Sequence, residues 1–199
     1  MGIEIIKKFA KENNVPIMHD EGINFLMEFI KENNIKSILE IGSAIGFSSI
    51  MMANVNSNII VDTIELDKER YDIALKNIKY FNLENRISIY NLDALDFKSN
   101  KKYDLIFIDG PKAQYNKHFH YFKNNLNENG YFIFDNINFH GMVDNPELTK
   151  NRNTKALVRK IKTFREGMLN SDYDVRYYKE IGDGIMVVSK KNSEIISLF

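Results

Sequence analysis

Apolar residues recur along the chain with two periods, one typical of helices and one typical of buried strands. Near the start, two segments carry apolar residues three and four positions apart, and this spacing predicts amphipathic helices over 3–11 and 21–33. Further on, short runs rich in Ile and Val alternate with segments of helical period. The predicted strands are 37–41, 58–65, 87–91, 103–109 and 130–135, and the predicted helices are 47–54, 68–81, 115–126 and 154–169.

The end of the chain predicts a different pairing. Two strands, 175–179 and 184–189, are separated only by the Gly182-Asp183-Gly184 turn, so they pair antiparallel at the edge of the sheet. The alternation before them predicts a parallel sheet covered by helices on both faces. The expected fold is one Rossmann-like α/β domain over 1–199, with seven strands, mostly parallel, and an antiparallel edge strand. Ligands bind such sheets at the carboxyl ends of the strands, and we expect residues 1–34 to cover that side.

Composition narrows the class of protein. A chain of 199 residues suits one domain, and 27 basic against 27 acidic residues give a net charge of zero, which does not favour a nucleic-acid binder. The absence of cysteine excludes disulfides, thiolate metal sites and cysteine nucleophiles. No apolar run approaches the roughly 18 residues of a membrane span. Because the start also lacks a signal-peptide core, we expect a cytoplasmic protein without membrane contact.

The first strand runs into a loop with glycines at 42 and 46, and a helix begins directly after it. Glu65, at the end of the second strand, follows Gly42 by 23 residues and is placed to accept hydrogen bonds from ribose hydroxyls. A pyrophosphate cradle would show G-x-G-x-x-G, so a nucleoside with an amino-acid tail fits better. Asp93 follows the third strand and could bind adenine. Each acid could instead cap a helix.

Oxygen-bearing side chains end the fourth and fifth predicted strands. If these strands are neighbours, Asp109, Asp135 and Asn136 meet at one edge of the sheet. Carboxylate and amide oxygens suit a hard ion such as Mg²⁺ or another divalent cation. A lone Asp at a strand end is more often a cap, but three oxygen ligands beside a cofactor pocket favour a metal site.

Taken in order, five motifs resemble the class I S-adenosylmethionine-dependent methyltransferases of the catechol O-methyltransferase type, in their bacterial branch. They cover roughly residues 14–190 and read ILEIGSAIGFSSI, VDTIELDKER, ISIYNLDALDF, YDLIFIDGPKAQY and GYFIFDNINFHGMV. The resemblance implies a homodimer, a metal held by Asp109, Asp135 and Asn136, and Lys112 as the general base. It further implies a set of cofactor-binding residues: Met18 near the transferred methyl group, Glu40, Gly42, Ser43 and Ser48 at the methionine moiety, Glu65 at the ribose, Asp93 at the adenine, and Asp109.

The chemistry implied is transfer of a methyl group from the sulfonium to a hydroxyl oxygen. A bound Mg²⁺ would lower the pKa of that hydroxyl, and positioning would supply most of the rate. Lys112 is the candidate base, although most loop lysines are only solvated and metal activation alone could suffice. His118, His120 and His140 are expected to be structural or to line the substrate site, because no nucleophile elbow is present.

The basic stretch over 150–165 bears on the methyl acceptor: it could contact tRNA, or it could be an ordinary solvated helix. Within the branch, the VPIM segment, the NRNT loop and the terminal GDGIMVVSK resemble the tRNA 5-hydroxyuridine methyltransferases, whose substrate offers two adjacent oxygens to a metal. The Gly110-Pro111 pair departs from their pattern and could shift the substrate loop. Two alternatives stay open: methylation of small catechols or phenols, and a non-catalytic nucleotide-binding module, which would not need three metal ligands.

Overall fold

The apolar runs of the sequence form the strands of one sheet, and the amphipathic segments form helices that pack on it. The computed structural model describes residues 2–191. The helices are α1 (Gly2–Glu12), α2 (Asp20–Glu32), α3 (Phe47–Asn54), α4 (Lys68–Tyr80), α5 (Tyr115–Phe122) and α6 (Arg152–Leu169). The strands are β1 (Ser37–Ile41), β2 (Ile60–Ile64), β3 (Ile87–Tyr90), β4 (Tyr103–Ile108), β5 (Leu126–Phe134), β6 (Tyr173–Tyr178) and β7 (Ile185–Lys190).

The seven strands lie in the order β3-β2-β1-β4-β5-β7-β6, which confirms the predicted α/β fold. The pairs among β1 to β5 are parallel, whereas β7 runs antiparallel to both β5 and β6. The antiparallel strand therefore lies one place inside the edge, with β6 outside it. The chain leaves β1 in one direction for β2 and β3 and returns to its other side for β4. This reversal between β1 and β4 creates the crevice in which such sheets bind ligands.

Two hydrophobic clusters cover the two faces of the sheet. Neighbouring strand residues alternate between them, so Ile38 belongs to one cluster and Leu39 to the other. The first cluster contains apolar residues of α1, α2, α3 and α4, and the second contains those of α5 and the end of α6. Val158 and Ile161 of α6 form a small third cluster with Val143. Because both faces are covered, most positions of the central strands are apolar, which makes these strands recognisable in the sequence.

Several predicted boundaries were wrong, most by one or two residues; the largest differences, of four residues each, are at the end of α5 and the start of β5. The helix predicted over 115–126 ends at Phe122, because Lys123–Asn125 form a 3-10 turn and Leu126 already pairs with Tyr103 of β4. The last helix begins at Arg152, ahead of the predicted residue 154, because the Asn151 side chain accepts hydrogen bonds from the first turn. Among residues 2–191, no helix is long and apolar enough to cross a membrane. Met1 and residues 192–199, the ends of the domain predicted over 1–199, lie outside the described residues.

Candidate active site

A cavity of about 680 Å³ opens at the carboxyl ends of the parallel strands. Its walls come from the loops after β1 to β5, from the segment between α1 and α2, and from the turn between β6 and β7. Eight residues predicted for the site line it together: Met18, Gly42, Glu65, Asp93, Asp109, Lys112, Asp135 and Asn136. The other three predicted residues, Glu40, Ser43 and Ser48, are not among the described residues that line the cavity.

Gly42 lies where the end of β1 meets the end of β4. Its φ of 96° belongs to the left-handed region, and a Cβ at this position would lie 2.9 Å from the backbone oxygen of Asp109. The glycine is therefore required by packing between two strand ends, in addition to any role in letting a ligand approach. This contact joins the loop predicted for the cofactor to the residue predicted for the metal.

Glu40 lies behind the loop, fully buried under the start of α3. Its carboxylate accepts hydrogen bonds from the hydroxyls of Ser48 and Ser49, and from Thr63 Oγ1 at 2.6 Å. Burial raises the pKa of Glu40 to about 7, although the three hydroxyl donors oppose this shift. In this arrangement Glu40 and Ser48 tie β1 to α3 and so fix the loop from beneath.

Glu65 holds the same loop from the cavity side. Its Oε2 accepts the N–H of Ala44 at 2.8 Å, and its Oε1 accepts the N–H of Asp67 at 2.9 Å. Burial is the main cause that raises the pKa of Glu65, and these two N–H donors lower it. Each carboxylate oxygen keeps a lone pair for a further donor, such as a hydroxyl of a ligand in the cavity.

Asp93 and His118 border another part of the cavity. The Asp93 carboxylate accepts the N–H of Leu95 at 2.8 Å and thereby caps a short 3-10 turn, which is the structural role left open by the sequence. His118 on α5 is buried, and burial lowers its pKa, while the charge of Asp93 opposes that shift. An Asp oxygen and a neutral imidazole near each other can accept and donate hydrogen bonds to a planar base.

The two strand-end aspartates lie side by side because the sheet ladder continues one residue past each strand. The N–H of Asp109 donates to Ile41 O at 3.0 Å, and the N–H of Asp135 donates to Ile108 O at 3.3 Å. Lys112 Nζ forms an ion pair with Asp109 Oδ1 at 2.5 Å. Burial raises the pKa of Asp135, and the charge of Asp109 raises it further, while Lys112 lowers it.

These residues fit a hard divalent cation. No three His, Cys, Asp or Glu side chains cluster as a metal site within residues 2–191, so any metal would depend on Asp109, Asp135 and the amide of Asn136. Asp135 is only 3% exposed and faces a second carboxylate, with a single ammonium group opposing the two negative charges. A buried excess of negative charge with oxygen donors is what a divalent cation would neutralise.

Asp183 is a cavity residue that the sequence did not single out. Because β7 runs antiparallel to β5, Met186 pairs with Phe134 and the preceding turn lies at the carboxyl edge of the sheet. Asp183 thus joins the cavity wall next to Phe139 and His140. The only signal in the sequence was an acid between two glycines, which reads equally well as a simple turn.

The cations of the basic stretch over 150–165 are exposed, except that Lys155 is half-buried and Arg165 is buried. Arg165 is buried and donates to Asp144 and to Tyr177, so it anchors the loop after β5 and is not part of a basic surface. Residues of α6 contact the turn at Lys112–Gln114, so this helix lies next to the part of the cavity that Lys112 lines. The exposed cations at its start and along it are Lys150, Arg152, Arg159, Lys160 and Lys162.

Similar proteins of known structure share this architecture over nearly the whole chain. A putative caffeoyl-CoA O-methyltransferase from Staphylococcus aureus superposes with a TM-score of 0.90 at 34% identity, covering 96% of this chain and 92% of the other. An O-methyltransferase from Bacillus cereus, solved in complex with SAH, superposes with a TM-score of 0.81 at 24% identity, covering 95% and 90% of the two chains.

Sequence comparison with curated proteins gives shorter matches. The tRNA1(Val) (adenine(37)-N6)-methyltransferase of Dyadobacter fermentans is 31% identical over 77 residues, which cover 39% of this chain and 32% of the relative. The chain thus spans about a third of the length of the curated relatives that it matches first. The O-methyltransferase family, in contrast, matches residues 3–191, from the first helix to the end of β7. The chain therefore belongs to the O-methyltransferase family.

Proposed function

We propose that this protein transfers a methyl group from S-adenosylmethionine to a hydroxyl oxygen, with a divalent cation at the acceptor end of its cavity. One observation carries the proposal: a single cavity joins Glu65, suited to a ribose, to the paired acids Asp109 and Asp135. Membership of the O-methyltransferase family supports it, as does the SAH bound to the B. cereus relative. A non-catalytic nucleotide-binding module would have no use for the buried acids at the far end.

The methyl donor would bind to side chains whose positions the fold already fixes. Glu65 accepts hydrogen bonds from the ribose hydroxyls with its remaining lone pairs, and Asp93 with His118 contacts the base. When bound, S-adenosylmethionine supplies an electrophilic methyl group on sulfur. Met18 lines the cavity from the segment between α1 and α2, so these N-terminal helices contribute one wall.

At the acceptor end, Asp109, Asp135 and Asn136 would hold the cation, which when bound lowers the pKa of the acceptor hydroxyl. In our proposal Lys112 separates from Asp109, loses a proton to solvent to become the neutral amine, and then accepts the hydroxyl proton. The acceptor oxygen then bonds to the methyl carbon as the carbon–sulfur bond breaks. The proton ends on Lys112, and the donor leaves as the neutral thioether.

For the acceptor we propose 5-hydroxyuridine in tRNA, whose two adjacent oxygens can both face the cation. The exposed cations of α6, a helix that contacts the turn at Lys112–Gln114, support this choice, because phosphate contacts supply most of the affinity for a nucleic acid. A second candidate is a small catechol-type molecule. The name of the S. aureus relative and the net charge of zero favour it.

Parallel methyl-transfer assays separate these candidates. We expect labelled methyl groups to appear on the added oxygen of hydroxylated tRNA, with a higher kcat/KM than for any of several catechols. Transfer to catechols with none to hydroxylated tRNA would keep the O-methyltransferase proposal and overturn the tRNA acceptor. Binding of S-adenosylmethionine without transfer to either class would overturn the catalytic proposal.

A further inference from the structure

The segment that follows the candidate metal residues has a constrained backbone. Phe139 and His140 have φ values of 45° and 57°, in a region that side chains other than glycine rarely adopt. Both residues line the cavity, and their ring centroids lie 5.3 Å apart. Strained backbone of this kind persists only where the surrounding structure holds it, and it concentrates at functional sites.

Asp183 supplies the hydrogen bonds that hold the backbone of this segment, while the His140 ring itself stays 67% exposed. The N–H of His140 donates to both carboxylate oxygens of Asp183, at 2.8 Å and 2.9 Å, and His140 Nδ1 lies 3.6 Å from Asp183 Oδ2. The backbone oxygen of Asp183 also accepts the N–H of Asn138 at 2.8 Å. One residue of the β6–β7 turn thus holds the loop after β5 at two backbone positions, Asn138 and His140.

The turn that carries Asp183 is itself fixed to both sides. The N–H of Gly182 donates to Glu21 Oε2 of α2 at 3.3 Å. Gly184 packs so closely on Asn138 that a Cβ would lie 2.6 Å from its side chain. The turn and the loop therefore form one rigid unit, which we call the acceptor wall: residues 137–140 together with residues 182–184.

A carboxylate at this position carries an electrostatic cost. Asp183 lines the same cavity as Asp109 and Asp135, so its carboxylate adds to the repulsion among the acids there. The Asp183 side chain is 11% exposed, so water screens this repulsion poorly. A neutral turn residue would avoid that cost, and the compensating interaction visible in the structure is the bond to His140.

We propose that Asp183 is a positioning residue for the methyl acceptor, which through His140 fixes Phe139 and His140 as a wall for a flat acceptor ring. This inference rests on the proposed methyl transfer in the same cavity. Aromatic side chains favour stacked or edge contacts with another ring, so two fixed rings select a planar acceptor over a flexible one. Asp183 acts through the wall and does not take part in the transfer itself.

Four variants test the proposal. Asp183→Ala removes the acceptor of the His140 N–H, whereas Asp183→Asn keeps one oxygen for it. Phe139→Ala removes a ring and leaves the bond intact. Asp172→Ala, an exposed acid before β6 that pairs with Lys191, serves as the matched control. The readouts are acceptor KM, kcat, the Kd for S-adenosylhomocysteine, and hydrogen–deuterium exchange of the peptide that contains His140.

For Asp183→Ala we expect the acceptor KM to rise by roughly tenfold, as for the loss of a hydrogen bond to a charged group, with faster exchange at His140 and an unchanged Kd for S-adenosylhomocysteine. Asp183→Asn should recover most of both effects, and Phe139→Ala should raise KM without faster exchange. An unchanged KM in Asp183→Ala, or an Asp183→Asn variant as impaired as Asp183→Ala, would overturn the proposal.

The failure of the proposed function looks different from the failure of this inference. If the wild-type protein methylates no planar hydroxylated acceptor, the methyl-transfer proposal and the positioning role that depends on it both fall. If the wild type transfers methyl groups and the variants match it, only the positioning role falls. If Asp183→Ala does not fold, Asp183→Asn and Phe139→Ala decide, since a normal KM in Phe139→Ala contradicts the wall.

Discussion

Lys112 Nζ lies 2.5 Å from Asp109 Oδ1, and both side chains line the cavity. The pair links two roles that the sequence assigned separately, a proton acceptor and a metal ligand. Because the Lys112 ammonium donates to Asp109 and has no free lone pair, Lys112 can accept a proton only after the pair has separated and the ammonium has lost a proton to solvent. Binding of a cation to Asp109 would release the lysine for that role.

Substitution of Lys112 should therefore affect turnover and leave donor binding unchanged. We expect Lys112→Met to lower kcat by roughly 10²–10⁴-fold, the usual contribution of a general base. Lys112→Arg keeps the charge but cannot deprotonate, so it should be nearly as slow. Steady-state kinetics and calorimetry with S-adenosylhomocysteine provide the measurement, with Lys117→Met on the exposed side of α5 as the control. Normal turnover in Lys112→Arg would show that the cation alone activates the hydroxyl.

Glu65 should control the affinity for the donor. Glu65→Ala leaves ribose hydroxyls without an acceptor and frees the N–H of Ala44, so we expect binding to weaken by roughly 1–3 kcal/mol. Glu65→Gln keeps one accepting oxygen and should lose less. Titration calorimetry with S-adenosylmethionine measures both, and Glu69→Ala in the exposed first turn of α4 should bind normally. Equal affinity in Glu65→Ala and the wild type would remove Glu65 from the donor site.

The facing acids Asp109 and Asp135 should lower the stability of the metal-free protein, although methyl transfer requires them. In the absence of metal, Asp135→Asn removes one of two facing negative charges but keeps an oxygen for the N–H of Asn136, so we expect a higher Tm, by about 2–4 °C for each kcal/mol gained. The same variant should lose methyl transfer.

In the wild type, EDTA should abolish transfer and Mg²⁺ should restore it. Full activity in EDTA, or a lower Tm for metal-free Asp135→Asn, would refute the role of the pair.

The buried carboxyl group of Glu40 should make the unfolding free energy of the protein depend on pH. Its folded pKa of about 7 lies above its ordinary value of 4.5, so the folded state binds the proton more tightly, and the corresponding stability is present at low pH and lost as pH rises through 7. Relative to Glu40→Gln, the wild-type protein should lose roughly 2–3 kcal/mol of unfolding free energy between pH 5 and pH 8. Urea unfolding of both proteins at the two pH values measures the difference. Parallel pH profiles would mean that Glu40 is ionised at no cost.

The basic face of α6 should matter for tRNA and not for small acceptors. Replacing Arg152, Lys155 and Arg159 with Ala should raise the KM for hydroxylated tRNA and lower the salt dependence of binding by about one in log–log slope for each phosphate that is no longer neutralised. Turnover of a catechol should stay near normal, because a small acceptor needs only the cavity. Replacing Lys68, Lys76 and Lys79 on α4 is the control. An unchanged KM for tRNA would exclude this face.

Much of the fold was predictable because the central strands are buried on both sides. The four residues from Leu105 to Ile108 are all apolar and buried, so they could not be taken for a surface helix. The region from Phe122 to Leu126 was harder, because its polar residues fit a helix end and a strand start equally well. The pairing of Leu126 with Tyr103, which decides the matter, lies far away in sequence.

The candidate site was predictable where each residue follows its own strand. Asp109 and Asp135 come together because parallel neighbours end at one edge, so their positions in the sequence were sufficient. Asp183 was missed because its place depends on β7 running antiparallel beside β5, and no local pattern shows this. The position of Glu40 depends on which face of β1 packs under α3. The homodimer and the cytoplasmic location stay predictions.

The contact between Gly42 and the backbone of Asp109 limits how such a protein can be changed. Any side chain at position 42 would push apart the ends of β1 and β4, and with them the donor loop and the acceptor acids. Engineering of a new acceptor preference would leave this junction untouched. Diversity would instead be introduced at Phe139 and His140, which line the cavity and can be substituted without touching this junction.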